Sequence, residues 1–259
     1  RRLVHSRYVP GRCSPCGGTP CRARPATRND VNCELCLRSP GEGFPPFSCD
    51  FMSLVFWGAA PGNLVCDYWL NWPISRWTAR LRISDGDRYV QTAVYEVKPN
   101  NLAHHFTLGY LHGATGVLVP LEVGWQPRLG VAGRPGSYKV GAWYSSSDVD
   151  DIFFDVNRQP RVLTGAEPLR RSGRYGGWIN LEQQVTGTAH DGHALSGMTL
   201  FLNLTRADRR TSFLDNQIVV GSFFNGLFSS RPKDVLGIAF ARTPVTTRIR
   251  PSQPSRPQR

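Results

Sequence analysis

The stretch MTLFLNLTRAD, residues 198–208, alternates two kinds of side chain. Successive side chains of a β-strand point to opposite faces. One face would carry the apolar residues Met198, Leu200, Leu202 and Leu204. The other would carry Thr199, Phe201, Asn203 and Thr205. A strand of about 9–11 residues with one lipid-facing side is typical of a membrane barrel, whereas soluble strands average about 5–6 residues.

Runs of the same kind recur through the middle of the chain and are separated by turns rich in Gly, Pro, Asn, Asp and Ser. No convincing amphipathic helix interrupts them, so the sequence predicts an all-β, antiparallel fold. The predicted strands cover residues 77–84, 88–97, 116–126, 137–146, 176–186, 197–207, 216–226 and 234–243.

Aromatic residues lie near the ends of several runs, as the aromatic girdles of a membrane barrel require. Examples are Trp77, Trp125, Trp143, Tyr175 and Phe223. A soluble β-sandwich also has alternating strands. Periodicity alone therefore leaves a transmembrane barrel and a soluble, carbohydrate-binding β-sandwich both open.

The net charge of +12 over 259 residues belongs mainly to the two ends of the chain. Residues 1–49 contribute +5 and residues 244–259 contribute +4, which leaves +3 for the whole middle. A nearly neutral body does not favour nucleic-acid binding. No run of about 18 apolar residues predicts a membrane-spanning helix, and no signal peptide is recognisable. We therefore expect a fragment or a processed chain.

Composition divides the chain into three parts. Residues 1–46 are rich in Arg, Pro and Cys without strand or helix periodicity, and we expect them to be irregular or disordered. Residues 47–245 hold the strand pattern. Residues 246–259 are polar and proline-rich, and we expect a disordered tail.

Four cysteines in the first part have the spacing of a zinc ribbon: Cys13, Cys16, Cys33 and Cys36. A zinc-dependent nucleic-acid binder is therefore a third hypothesis. The residues between the two pairs read as coil, and the body carries one further cysteine after residue 49. We expect the four sulfurs not to converge, and we expect no metal or other cofactor.

Seven ordered stretches carry a family resemblance across residues 47–245. They are FSCDFMSLVFWGAAPGNLVCDYWLNWPISRW, VYEVKPNNL, GVLVPLEVGWQP, PGSYKVGAWYSSSD, RYGGWINLEQQVT, LFLNLTRADRR and FFNGLFSSRPKDVLGIAFART. These stretches resemble the OprB-type carbohydrate-selective porins of Gram-negative outer membranes. The resemblance implies a 16-stranded barrel in outer-membrane lipid that passes sugars passively into the periplasm.

The family's chain is considerably longer, so about half of a barrel is visible here. We expect residues 50–245 to form an open, curved sheet with unpaired edges. Unpaired backbone groups are costly in lipid. We therefore expect that the 259-residue chain is not a working pore by itself.

Polar side chains on the lumen phase could exchange hydrogen bonds with sugar hydroxyls. Two loops that could fold inward, residues 72–77 and 226–234, add Trp77 and Arg231. The mixed charges of the whole set of lumen candidates suit neutral mono- or oligosaccharides. No enzyme motif is present. The oligomeric state is left open. The lumen candidates are Arg80, Arg82, Glu96, Glu122, Asn180, Glu182, Gln184, Asn203 and Arg206.

Overall fold

The computed structural model describes residues 30–38, 40–65, 69, 74–98 and 113–249. The long strands are β1 (Asp30–Arg38), β2 (Arg76–Asp85), β3 (Arg88–Val97), β4 (Gly116–Trp125), β6 (Arg134–Ser145), β9 (Arg174–Gln184), β12 (Gly197–Ala207), β13 (Asn216–Asn225) and β14 (Val235–Arg242). The short strands are β5 (Arg128–Leu129), β7 (Val149–Asp155), β8 (Pro168–Arg171), β10 (Ala189–His190) and β11 (His193–Ala194). The helices are α1 (Ala60–Val65), α2 (Arg161–Thr164) and two single 3₁₀ turns, Pro46–Cys49 and Thr247–Ile249.

The nine long strands form one antiparallel sheet in the order β1-β2-β3-β4-β6-β9-β12-β13-β14. Each of the eight predicted runs is one of these strands, and the all-β antiparallel prediction is confirmed. In the part of the chain that is described, β1 and β14 do not pair with each other, so the sheet is open as expected. No helix among the described residues has the length and apolar character needed to cross a membrane.

One face of the sheet, here called the outer face, is aliphatic and exposed. Most of its large apolar side chains are exposed, with Leu121 at 52% and Phe240 at 66% as examples. Such exposure is the reverse of what the core of a soluble sandwich requires. The predicted outward direction of the apolar faces is confirmed. Examples from six strands are Leu81, Val90, Leu121, Val140, Ile179 and Ile238.

The opposite face, here called the inner face, is polar and buried. Residues 40–65, here called the inward segment, fold back over it between β1 and β2. Phe47 of this segment stacks on Phe201 of β12 with ring centroids 4.2 Å apart. Two clusters of buried apolar residues form where the segment and Trp69 pack against the inner face. The core of the described part therefore lies on the inner side of the sheet.

The segment predicted to be irregular, residues 1–46, extends too far along the chain. Strand β1 lies within it and pairs along its whole length with β2. Residues 40–46 also pack on the sheet, where Glu42 is fully buried. The expectation of an irregular segment is therefore wrong for residues 30–38, where apolar Val31, Cys33 and Leu35 alternate with polar Asn32 and Glu34 and the chain pairs with β2. Residues 1–29 lie outside the described residues.

The zinc-ribbon spacing falls partly on β1. Cys33 is an exposed free thiol opposite Leu81, on the outer face. Cys36 lies three residues further along the same strand. Cys13 and Cys16 lie outside the described residues, so the expectation of an unoccupied cluster stays a prediction.

The end of the chain continues past β14 as folded structure. Thr246 is buried, its amide donates to the Phe213 carbonyl, and a 3₁₀ turn follows at Thr247–Ile249. The boundary predicted for the disordered tail, residue 246, is therefore too early, because the chain is still folded there. Residues 250–259 lie outside the described residues.

The connections at the two ends of the sheet differ in length. At one end, here called the long rim, residues 39–75, 98–115, 146–173 and 208–215 join the long strands. At the other end, here called the short rim, the connections are residues 86–87, 126–133, 185–196 and 226–234. The connection between β6 and β9 carries the small sheet of β7 and β8, and that between β9 and β12 carries β10 and β11.

Candidate functional site

A cavity of about 460 Å³ lies between the inward segment and the inner face. Gly41, Phe44, Pro46 and Cys49 form its segment side. The opposite side comes from β2, β3, β4, β6, β9 and β12. Two short-rim connections, residues 126–133 and 185–196, border the cavity at that end of the sheet. Four of the predicted lumen residues line this cavity: Arg80, Arg82, Glu122 and Glu182.

The arginines at the cavity are joined by the side chain of Gln91 on β3. The Gln91 Oε1 atom accepts hydrogen bonds from Arg80 Nη2 at 2.6 Å and from Arg82 Nη1 at 3.3 Å. Arg80 also lies 3.4 Å from a carboxylate oxygen of Glu34 and 3.4 Å from one of Glu42. The Arg82 guanidinium stacks 3.7 Å above the ring centre of Tyr89, a cation–π contact. Both cations are therefore held in fixed positions at the cavity wall.

Two further side chains give the cavity both signs of charge. Lys139 of β6 donates from Nζ to the Phe44 carbonyl at 3.1 Å. Glu182 of the adjacent strand β9, opposite Ser137 in the register, belongs to the same lining. Hydroxyl groups of a sugar can accept from the cations and donate to carboxylate and amide oxygens. The surface is thus suited to exchanging hydrogen bonds with polyhydroxylated molecules.

Glu122 has a different role from the one that its strand phase suggested. Its side chain is buried, and both carboxylate oxygens accept hydrogen bonds from protein groups. A carboxylate whose acceptor sites are already occupied has little left for a ligand. Glu122 therefore serves mainly to join the sheet to the inward segment.

Three predicted residues lie on the inner face away from the cavity lining. Asn203 donates through Nδ2 to Asn180 Oδ1, so one hydrogen bond joins these two buried amides. Gln184 donates to the carbonyls of the 185–196 connection, at Thr186 and Ser196 among others. Each of these side chains stabilises the wall, and any contact with sugar stays a prediction.

The remaining predicted residues do not point to the inner face by strand phase. Trp77 has the same strand phase as Ala79, Glu96 the same as Val94, and Arg206 the same as Leu204. All three phases belong to the outer face. Each of the three lies at the end of its strand. The Trp77 amide donates to Glu96 Oε1 at 3.3 Å, which occupies that carboxylate locally.

Arg231 lies in the short-rim connection between β13 and β14. Its guanidinium is 2.6 Å from the Asp234 carboxylate, and both side chains are exposed. A local ion pair thus holds Arg231 at the exposed rim in this part of the barrel, and its place near a constriction stays a prediction. Residues 72 and 73 of the other loop lie outside the described residues, while residues 40–65 do fold over the inner face.

Three residues at the cavity were missed by the sequence analysis. Tyr89 and Gln91 share the phase of Tyr95 on β3, and Lys139 shares the phase of Trp143 on β6. Alternation on these strands contained the signal, since polar residues on one phase line the inner face. Glu96, which was predicted from β3, has the opposite phase and pairs with Val117 of the outer face.

Comparison with known proteins gives the same architecture. The family described as "Carbohydrate-selective porin, OprB family" matches residues 29–258. The chain belongs to the OprB family of carbohydrate-selective porins. It is 39% identical to Porin B of Pseudomonas aeruginosa over 216 residues, which cover 82% of this chain and 47% of that protein. It is 28% identical to the putative porin QuiX of Acinetobacter baylyi, over 87% of this chain and 49% of that protein.

A solved OprB structure shares the fold. The high-pH structure of Pseudomonas putida OprB superposes with a TM-score of 0.77 at 37% identity, covering 85% of this chain and 52% of that one. The chain thus spans about half the length of the relatives that it matches. Membership of the OprB family assigns the chain to the bacterial outer membrane. Porins of this family are channels rather than enzymes.

Proposed function

We propose that this chain forms part of the wall of an outer-membrane channel through which mono- or oligosaccharides diffuse passively. The observation that carries the proposal is the difference in chemistry between the two faces of one sheet. An exposed aliphatic outer face suits lipid, while the inner face holds a cavity lined by arginine, lysine, glutamate and amide groups. The OprB family match supports carbohydrate as the class of solute.

Passive diffusion requires a site that binds sugar weakly and through exchangeable contacts. The charged groups of the cavity are already bonded to protein, as Arg80 is to Gln91 and Glu42. A solute that enters therefore gains hydrogen bonds to partly satisfied groups rather than to bare charges. This favours neutral polyols, which exchange water for protein contacts at little net cost.

Sugar-driven swelling of liposomes tests the proposal. The purified chain should not sustain sugar passage alone, because the open sheet leaves edge strands unpaired. A chimera in which residues 29–258 replace the matched part of Porin B should pass sugars. Failure of that chimera, when it inserts and resists heat denaturation like the parent, would contradict the proposal.

A further inference from the structure

We infer that Glu122 is the positioning residue that holds the inward segment across the cavity and so limits the size of the solute that can pass. The inference rests on the proposed function, because it concerns the same cavity. The buried Glu122 side chain fixes the position of the inward segment, which forms one wall of that cavity. Its structural half, the holding of the segment, is testable without any transport.

Glu122 is 1% exposed and receives four hydrogen bonds. Its Oε1 atom accepts from the Tyr89 hydroxyl at 2.8 Å and from Gln91 Nε2 at 2.7 Å. Its Oε2 atom accepts from Trp178 Nε1 at 3.0 Å and from the Gly43 amide at 2.8 Å. Three donors belong to the sheet and the fourth belongs to the inward segment. The sheet therefore fixes the carboxylate, and the carboxylate fixes the segment.

The contact at Gly43 depends on the absence of a side chain. Gly43 has φ +69°, in the region that favours glycine. A Cβ built on it would lie 3.1 Å from Pro61 Cγ and 3.2 Å from Trp178 Cδ2. The segment therefore approaches the sheet closely at this residue, where its amide reaches Glu122.

The residues beside Gly43 also bind the sheet. Glu42 is fully buried and accepts from the Tyr95 hydroxyl at 2.7 Å. On the other side, the Phe44 carbonyl accepts from Lys139 Nζ. Consecutive residues are thus attached to β3, β4 and β6, and the adjoining Gly41, Phe44 and Pro46 line the cavity. Movement of this short stretch would change the width of the cavity directly.

Glu122→Gln keeps the shape of the side chain and removes one acceptor oxygen. An amide has two donors of its own, so it cannot accept from all four protein donors at once. At least one buried donor is left without an acceptor, and the segment amide is the one whose chain can move away. We expect hydrogen exchange in residues 40–50 to be about tenfold faster or more.

Hydrogen exchange followed by mass spectrometry on the whole 259-residue chain in lipid vesicles tests the positioning role. Glu182→Gln is the matched control, because it makes the same change on a carboxylate that lines the same cavity without bonding to Gly43. Only Glu122→Gln should speed exchange in residues 40–50. Peptides from β12 and β13 should keep the rates of the original chain in both variants.

Two results would overturn the positioning role. One is unchanged exchange of residues 40–50 in Glu122→Gln. The other is faster exchange throughout β12 and β13, which would make Glu122 a general folding residue. Either result is readable whether or not the vesicles pass sugar.

The size limit is tested by swelling with sugars of increasing length, using the chimera described above with and without Glu122→Gln. The variant should raise the rate for a trisaccharide relative to a monosaccharide by severalfold. Equal ratios for the two proteins, with faster exchange of the segment, would refute the size limit. Absence of swelling in the unsubstituted chimera would instead refute the proposed function, while the exchange result still decides the role of Glu122.

Discussion

The outer and inner faces are made by the same strands and differ in what covers them. Leu200 and Phe201 are neighbours on β12, yet Leu200 is 45% exposed and Phe201 is 4% exposed. The aliphatic outer face has no need of protein contacts if lipid surrounds it. The inner face, polar along most strands, is covered by the inward segment and held by hydrogen bonds. Whether a side chain in this sheet is buried therefore depends on which face carries it, because the inward segment covers the inner face. It does not depend on whether the side chain is apolar.

The largest expected effect separates two adjacent residues of β12. Phe201→Ala should lower the free energy of unfolding by about 3–5 kcal/mol, because it leaves a cavity beneath Phe47. Leu200→Ala should cost clearly less, since lipid can fill the space left on the outer face. Urea titration of the chain in lipid vesicles measures both. Equal losses would mean that the two faces are packed alike.

A charge placed on the outer face should have the next largest effect. Leu121→Arg should destabilise the chain by about 2–4 kcal/mol if that position faces the bilayer midplane. The opposite change on the inner face, Lys139→Leu, removes one hydrogen bond and should cost about 1 kcal/mol. The same urea titration compares them. A harmless Leu121→Arg would remove the argument that lipid covers this face.

The amide pair on the inner face sharpens the comparison at the level of single hydrogen bonds. Asn180→Ala should cost about 1–3 kcal/mol, because it leaves a buried Asn203 donor without its partner. The double variant with Asn203→Ala should cost less than the sum of the two single variants. Strict additivity in this cycle would show that the two amides do not depend on each other.

The smallest expected effect lies outside both faces, in the β7–β8 sheet at the long rim. Burial raises the pKa of Asp151, but hydrogen bonds from the Phe154 and Phe153 amides and from Arg171 outweigh it and lower the pKa overall. The Thr164 hydroxyl bond, followed by backbone bonds, lowers the pKa of Asp155. Both carboxylates therefore stabilise this small sheet above their ordinary pKa of 3.8.

This stabilisation should be lost as the pH falls from about 4 through the lower pKa values of the folded state. Protection from hydrogen exchange in residues 149–171, measured relative to the intrinsic exchange rate at each pH, should fall in that window, while protection of β12 is kept. Asp151→Asn should remove part of this pH dependence and lower the protection of the segment already at neutral pH. Protection of residues 149–171 that does not change with pH would contradict the assignment of these carboxylates.

Alternation was used to predict eight of the nine long strands, all but β1, and the direction of their apolar faces. Arg80, Arg82 and Glu182, which it assigned to the lumen side, lie inside their strands and line the cavity. Glu96 and Arg206 lie near the ends of their strands and share the phase of the outer face, because the predicted strand phase was least well defined there. Contact of any of these residues with sugar stays a prediction.

The inward segment could not be predicted in the same way. Residues 40–65 have no period of two, and their positions depend on contacts with strands that lie far away in the sequence. The bond from Gly43 to Glu122 joins residues 79 positions apart. No local pattern carries such information. Strand β1 is different, because Val31, Cys33 and Leu35 alternate with Asn32 and Glu34 and this period of two was present in the sequence. Only its partner, β2 across a connection of 37 residues, could not be read locally.

The unequal rims give the molecule a direction. Barrels of the outer membrane have short turns on the periplasmic side and longer loops on the cell exterior. By that rule, the rim with residues 39–75 and 146–173 faces the environment. The cavity extends toward the opposite rim, where Arg128 and Gly192 border it. A solute that entered from the long rim would therefore pass the inward segment before it reached the charged cavity.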